Sequence, residues 1–283
     1  MSGTRVLLPR WRLLDPRAAA EAAARPIHDA VNIPLAELPL RTHELPPRQE
    51  VVRVAGPPEA VAATVAWLGQ HGRQGVAEAR FSYESAATAG GSGRLWEPTE
   101  FLAEVLPQLA AGRALDLACG VGRDSVFLAA AGWEVTGVDV LPDALERGQG
   151  LAGRYVPDAE IRWVLGDLEA GSADLGGPYD LILMFRYLHR PLLAELATWL
   201  ARGGSILVET FTTLHRGRHG RPSGAGRALR PGELRGLIEG VEIRRYSEEW
   251  RGDAHTARLW AVRPAGGGPG QSLDAGGDYS VAP

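Results

Sequence analysis

The chain has 283 residues, 45% of them hydrophobic and 23% charged, with a formal net charge of −4: a globular composition long enough for about two domains. Lysine plus arginine is 30 and every one is arginine, which excludes Schiff-base and pyridoxal-phosphate chemistry and the lysine of a phosphate-binding P-loop. Cys119 is the one cysteine, so an internal disulfide and a multi-cysteine zinc site are excluded, and a reducing, cytoplasmic compartment is expected.

The mildly acidic balance supplies no global field for nucleic acid. The first residues show no signal-peptide core, and no apolar run is long enough to span a bilayer. Composition divides the chain into a small segment over 1–80, a Gly/Ser-rich linker over 81–93, a larger segment over 94–263 and a tail over 264–283 expected to be disordered.

In the small segment, Leu13-Leu14-Asp15 reads as a strand entering a turn at Pro16, and Ala18 to Ala24 as a helix. A second extended stretch, Ala30 to Leu35, is followed by helix over about 36–45, the strand Val51 to Ala55, a helix Glu59 to Gln70 opened by Pro57-Pro58, and a strand near Gly75-Val76. This alternation predicts an α/β layer on a parallel sheet.

Two stretches, Leu13-Leu-Asp-Pro-Arg17 and His28-Asp-Ala-Val-Asn-Ile-Pro-Leu35, resemble the signatures of rhodanese-like domains over most of residues 1–80. In that family a sulfur-carrying cysteine follows the strand that here is Val51 to Ala55. The local sequence, Ala55-Gly-Pro-Pro-Glu-Ala60, has no cysteine, and a persulfide needs a thiolate. The resemblance therefore implies an inactive domain, suited to docking or self-association.

The larger segment opens on Arg113-Ala-Leu-Asp116-Leu-Ala118-Cys119-Gly120-Val-Gly122-Arg123-Asp-Ser, an apolar strand running through a glycine-rich turn into a helix. Ser125 stands where a dinucleotide G-x-G-x-x-G fingerprint requires its last glycine. Asp116 would repel a diphosphate and favours a ligand carrying an ammonium and a sulfonium. Glu134 to Val140 is a β-branched strand ending in Asp139, placed to accept from both ribose hydroxyls. Ile161 to Leu168 is a third strand, whose Gly166-Asp167 would lie near an adenine amine. Tyr179 to Tyr187 and Gly203 to Phe211 read as the fourth and fifth strands, Pro231-Gly-Glu233 as a helix start, and 241–249 with 256–262 as a terminal hairpin.

Three acids at successive strand ends resemble motifs I to III of class I S-adenosylmethionine-dependent methyltransferases. The resemblance implies an α/β chain with a Rossmann-like seven-stranded sheet and a smaller N-terminal α/β rhodanese-like domain. It implies S-adenosyl-L-methionine as cofactor, held by Asp116, Ala118, Cys119, Gly120, Gly122, Arg123, Asp139, Val140, Gly166, Asp167, Leu168 and Phe185. Ala118 replaces a common first glycine, a change tolerated if its φ is negative. Arg94 to Leu102, Phe185 to Pro191 and Glu209-Thr-Phe211 further resemble the tellurite-resistance-type and small-molecule methyltransferases.

Methyl transfer from a sulfonium needs alignment more than proton chemistry, and a soft nucleophile needs little base. Arg186, Tyr187 and His189 at the fourth strand end are the catalytic candidates. The stretch from Thr210 to Gly232 is free of acids and rich in arginine, a prospective lid. With Arg186 it suggests a small, soft or anionic acceptor met by Arg186, Glu209, His215 and Arg221: a thiol, a selenium or tellurium species, or a small carboxylate. The alternative is a pseudoenzyme that senses S-adenosylmethionine and docks through its front domain. No close metal-ligand cluster stands out, and neither nucleic acid nor membrane is an expected partner.

Overall fold

A computed structural model describes residues 9–83, 93–171 and 175–265. Most of the expected linker, and the expected tail beyond residue 265, lie outside the described residues.

The first unit runs β1 (Leu13–Asp15), α1 (Ala19–Ala24), β2 (Ala30–Asn32), α2 (Leu38–Arg41), β3 (Val52–Val54), α3 (Pro58–Gln70) and β4 (Val76–Glu78). Its strands form a parallel sheet in the order β2-β1-β3-β4. The pattern of β3, buried Val52 and Val54 around exposed Arg53, is that of a strand with one face on a core. On α3, Val61, Thr64 and Leu68 are the buried positions, spaced for one helical face. The helix expected over about 36–45 is instead three short turns, 3₁₀ at Leu35–Glu37, α2, and 3₁₀ at Thr42–Glu44. Pro39 lacks an N–H to donate and sits in the first turn of α2, so no continuous helix can run through it.

The second unit runs α4 (Glu100–Val105), β5 (Arg113–Leu117), α5 (Arg123–Ala130), β6 (Glu134–Asp139), α6 (Pro142–Tyr155), β7 (Ile161–Leu165), β8 (Tyr179–Phe185), α7 (Arg190–Trp199), β9 (Leu200–Phe211), α8 (Thr213–His219), β10 (Glu242–Arg251) and β11 (Ala254–Val262). The seven strands lie in the order β10-β11-β9-β8-β5-β6-β7, with β11 antiparallel to both its neighbours. Both faces are covered, so β8 is an unbroken apolar run from Leu181 to Phe185. Its Leu181 and Leu183 pack into one core layer and Ile182 and Met184 into the other. The helix expected from Pro231 is a single 3₁₀ turn, Glu233–Gly236, entered through Gly232 in the left-handed region.

Leaving β5, the chain builds outward through β6 and β7, then returns to the other side of β5 for β8 and β9. The order reverses between β5 and β8, where open α/β sheets form a crevice at their carboxyl ends.

The two units meet around Glu44, whose side chain is fully buried. Arg41 donates to it through Nε (2.6 Å) and Nη2 (2.8 Å), and the Tyr155 hydroxyl at 3.1 Å. Arg154 Nη2 lies 2.7 Å from Oε1, the oxygen that Arg41 Nε also meets. Burial alone would raise the Glu44 pKa; the hydrogen bonds and charges of Arg41 and the charge of Arg154 outweigh it and hold the carboxyl below its usual range. Trp96 packs edge-on against Tyr155, and Arg10 pairs with Glu50 of its own unit and Glu97 of the other.

Candidate active site

Between β5 and α5 the chain turns through Ala118, Gly120 and Gly122, with φ of +57°, +55° and +70°. The negative φ expected at Ala118 is therefore corrected: this alanine holds a left-handed conformation, which costs an L-residue about 1–2 kcal/mol. Ala118→Gly should raise stability by about 0.5–1 kcal/mol, because glycine's added freedom in the unfolded chain offsets part of the relief. A urea midpoint that rises at unchanged slope would show it; a fall would mean that the alanine methyl contributes packing that outweighs the strain.

Trp163 on β7 shapes the turn from beneath. A Cβ on Gly122 would come within 2.3 Å of its ring, and one on Gly148 of α6 within 2.9 Å. One indole thus requires two glycines, one of them in the turn after β5.

The acids gather at this turn. Asp116 is buried and accepts from Ser125 Oγ at 2.6 Å. Burial, then the charges of Asp124 and Asp139, push its pKa up to about 8. Asp139 Oδ2 accepts from the Gly120 N–H at 2.7 Å and Oδ1 from the Leu141 N–H at 3.0 Å. The carboxylate at the end of β6 is thereby fastened to the glycine turn after β5. Gly166 donates its N–H to the Asp139 carbonyl, and exposed Asp167 accepts from the Glu169 N–H at 2.8 Å. Beside these acids Val140, Leu141 and Leu165 are exposed, while Leu168 is buried. An apolar shelf flanked by carboxylates suits a heteroaromatic ring joined to a sugar. The Cys119 thiol is half-buried and burial raises its pKa, the environment of an inert thiol.

Sequence reasoning missed Asp124. At the start of α5 it reads as an ordinary first-turn acid, yet it accepts from Thr99 through both N–H (2.6 Å) and Oγ1 (2.8 Å), tying the segment before α4 to the loop. Burial raises its pKa against those bonds and against the charges of Arg123 and Arg186. Those two guanidiniums in turn feel one another.

Opposite the acids, Arg186 follows β8 with φ +56°, its N–H donated to the Glu209 carbonyl at 2.7 Å and its side chain exposed. A non-glycine residue in this region carries backbone strain that its surroundings must hold in place. Phe185 is buried beside it. Tyr187 is half-buried, and burial, then Glu169 and Asp167, raise its hydroxyl pKa. His189 caps α7, and its Nδ1 is buried with no hydrogen-bond partner.

Two acceptor candidates are engaged by neighbours within the fold. Glu209 is buried and directly opposite Arg258 of β11, with Arg258 Nε at 2.9 Å, so its charge is spent inside the sheet. His215 stacks on Phe211 with centroids 4.3 Å apart and neighbours His219 and Trp250, in an aromatic cluster. Arg221 stays exposed. The arginine-rich segment leaves β9 and returns to it: Thr212 pairs with Leu229, so its two ends close on each other. Arg190 anchors the return by binding Glu233 at 2.7 Å and the Ala228 carbonyl at 3.2 Å, and holds the Glu233 pKa down to about 2. Arg227 then reaches Glu169, beyond β7, at 3.6 Å. The segment therefore spans the crevice mouth from β9 to β7.

Residues 114–204, from β5 to the start of β9, match the family described as methyltransferase domain. An uncharacterised protein of Schizosaccharomyces pombe is 26% identical and aligns over 80% of this chain and 84% of its own. Among solved structures, the N-methyltransferase NodS of Bradyrhizobium japonicum in complex with S-adenosyl-L-homocysteine is similar at 21% identity, over 59% of this chain and 85% of that one, TM-score 0.47. Magnesium protoporphyrin IX methyltransferase of Synechocystis with bound SAM is similar at 21% identity, over 57% and 76%, TM-score 0.46. The match covers the glycine turn, Asp139, Gly166-Asp167 and Arg186; the arginine-rich segment and the front unit lie beyond it. Among the described residues, no group of three or more histidine, cysteine, aspartate or glutamate side chains could hold a metal ion, and no helix is long and apolar enough to cross a membrane.

Proposed function

We propose that this chain is a cytoplasmic S-adenosylmethionine-dependent methyltransferase acting on a small, soft or anionic acceptor. The observation that carries the reading is Asp139, buried at the end of β6 with its two oxygens on Gly120 and Leu141. That leaves a fixed carboxylate edge beside a glycine turn that is open to close approach.

When bound, S-adenosylmethionine supplies a methyl group on a sulfonium. Asp139 would hold the ribose hydroxyls, and Val140, Leu141, Leu165, Gly166, Asp167 and Leu168 the adenine. Asp116, Ala118, Cys119, Gly120, Gly122, Arg123 and Phe185 would enclose the amino-acid arm, with Asp116 charged once an ammonium offsets its burial. Arg186 and Arg221 position the acceptor's negative charge. Tyr187 packs between the donor acids and the lid, and His189 is the group able to take a proton where the acceptor brings one. The rhodanese-like front unit is read as a sulfur-transfer fold without its nucleophile: buried Ala55 stands in the loop after β3.

The test measures S-adenosylhomocysteine formation with thiols, selenite and tellurite. With the accepted substrate, Arg186→Met and Arg221→Met should each raise KM about 10-fold or more, the scale of one charge-assisted hydrogen bond of about 1.5–3 kcal/mol. Unchanged KM in both variants would remove the anionic acceptor from the proposal.

A further inference from the structure

Between the two units lies a cavity of about 420 Å3 that the methyltransferase reading does not use. One wall is apolar and comes from the front unit: Ala19, Ala22 and Ala23 of α1, then Pro26, Ile27 and Val31. Trp11 adds an aromatic face, and the far wall is Arg154 and Tyr155 at the end of α6. The cavity therefore has surfaces from both units, the usual setting for a ligand pocket, and its volume falls within the range of about 300–1,000 Å3 that such pockets occupy.

Charge decides what it would take. Of the charged groups that line it, Asp15 is neutralised by Arg17, through bonds of 2.7 and 2.9 Å. Arg41 is fully engaged by Glu44 and Glu37. Arg154 gives only Nη2 to Glu44 and keeps about a third of its side chain exposed. Its charge is shared with Glu44, but among the described residues its remaining N–H donors have no other anionic partner, on an otherwise apolar or compensated wall.

We infer that this junction is a second ligand site, and that it takes a small amphipathic carboxylate with its apolar body against the α1 alanines and its head on Arg154. An uncharged molecule of the same shape forfeits the charge-assisted bond. A cation meets the wrong sign.

The test titrates octanoate and 4-phenylbutyrate, with octanol as the neutral control, into the full-length protein by calorimetry. At least one carboxylate should bind saturably and about 10-fold or more tighter than octanol. Ala23→Phe fills the apolar end without touching the ion cluster, and should abolish that binding while S-adenosylhomocysteine affinity stays as it was. Arg154→Met should equalise carboxylate and alcohol. Absence of saturable binding by both carboxylates, or binding that survives Ala23→Phe, overturns the inference. S-adenosylhomocysteine binding, titrated separately, reports on the methyltransferase reading and is not affected by either result.

Discussion

Glu44→Ala is expected to destabilise the protein by about 3–5 kcal/mol, the range for breaking a buried ion pair from one side. The loss comes less from the bonds that disappear than from what they leave behind. Arg41 has its Nε and one Nη committed to Glu44 and retains only Glu37 as an anionic partner. Tyr155 loses the acceptor of a buried hydroxyl. Glu44→Gln should fall between, since it keeps one acceptor oxygen and discards the charge. The direction of the pH effect follows from a carboxyl held below its unfolded value: its contribution is complete above the unfolded pKa and is lost as pH falls through the folded one. Chemical denaturation of the three proteins at neutral and acidic pH measures both effects. If Glu44→Ala costs under about 1 kcal/mol, the junction is no more than a surface contact.

Asp139→Ala should weaken S-adenosylmethionine and S-adenosylhomocysteine binding by about 100-fold, equivalent to about 2.8 kcal/mol at 1.4 kcal/mol per tenfold. Two effects act together. The variant removes the carboxylate that would accept from the ribose, and it frees the Gly120 N–H that fixes the glycine turn. Asp139→Asn keeps one acceptor and should lose about 10-fold, because a neutral acceptor bonds less strongly than a charged one. Calorimetric titration distinguishes these outcomes. Wild-type affinity in Asp139→Ala would place the donor somewhere other than this crevice.

What was legible in the sequence was whatever depends on neighbours in the chain. The strands could be anticipated because apolar runs such as Leu181 to Met184 belong to buried parallel strands, and the gathering of Asp116 and Asp139 because each stands at or near the end of such a run. What escaped depends on partners brought together only by folding. Glu44 is one acid in a short turn, and its meaning comes from Arg154 and Tyr155, more than 100 positions along the chain. Glu209 has the look of a strand-end site residue until the antiparallel return of β11 sets Arg258 opposite it. Asp124 resembles a helix-start acid because Thr99, which engages both its oxygens, lies on another element. The backbone of Ala118 was misjudged for a related reason: residue type states a preference, and the surrounding turn overrode it.

The pairing of Thr212 with Leu229 has an evolutionary consequence. Because the lid is closed at its root by backbone bonds and by Arg190 with Glu233, residues 213–228 can lengthen, shorten or change charge without altering the strands that hold the donor crevice. Loop length itself costs little, roughly 0.6 kcal/mol per doubling. On the proposed reading, acceptor choice and methyl-donor binding can therefore diverge independently, the first by exchange of a surface loop and the second only by change in the buried acids.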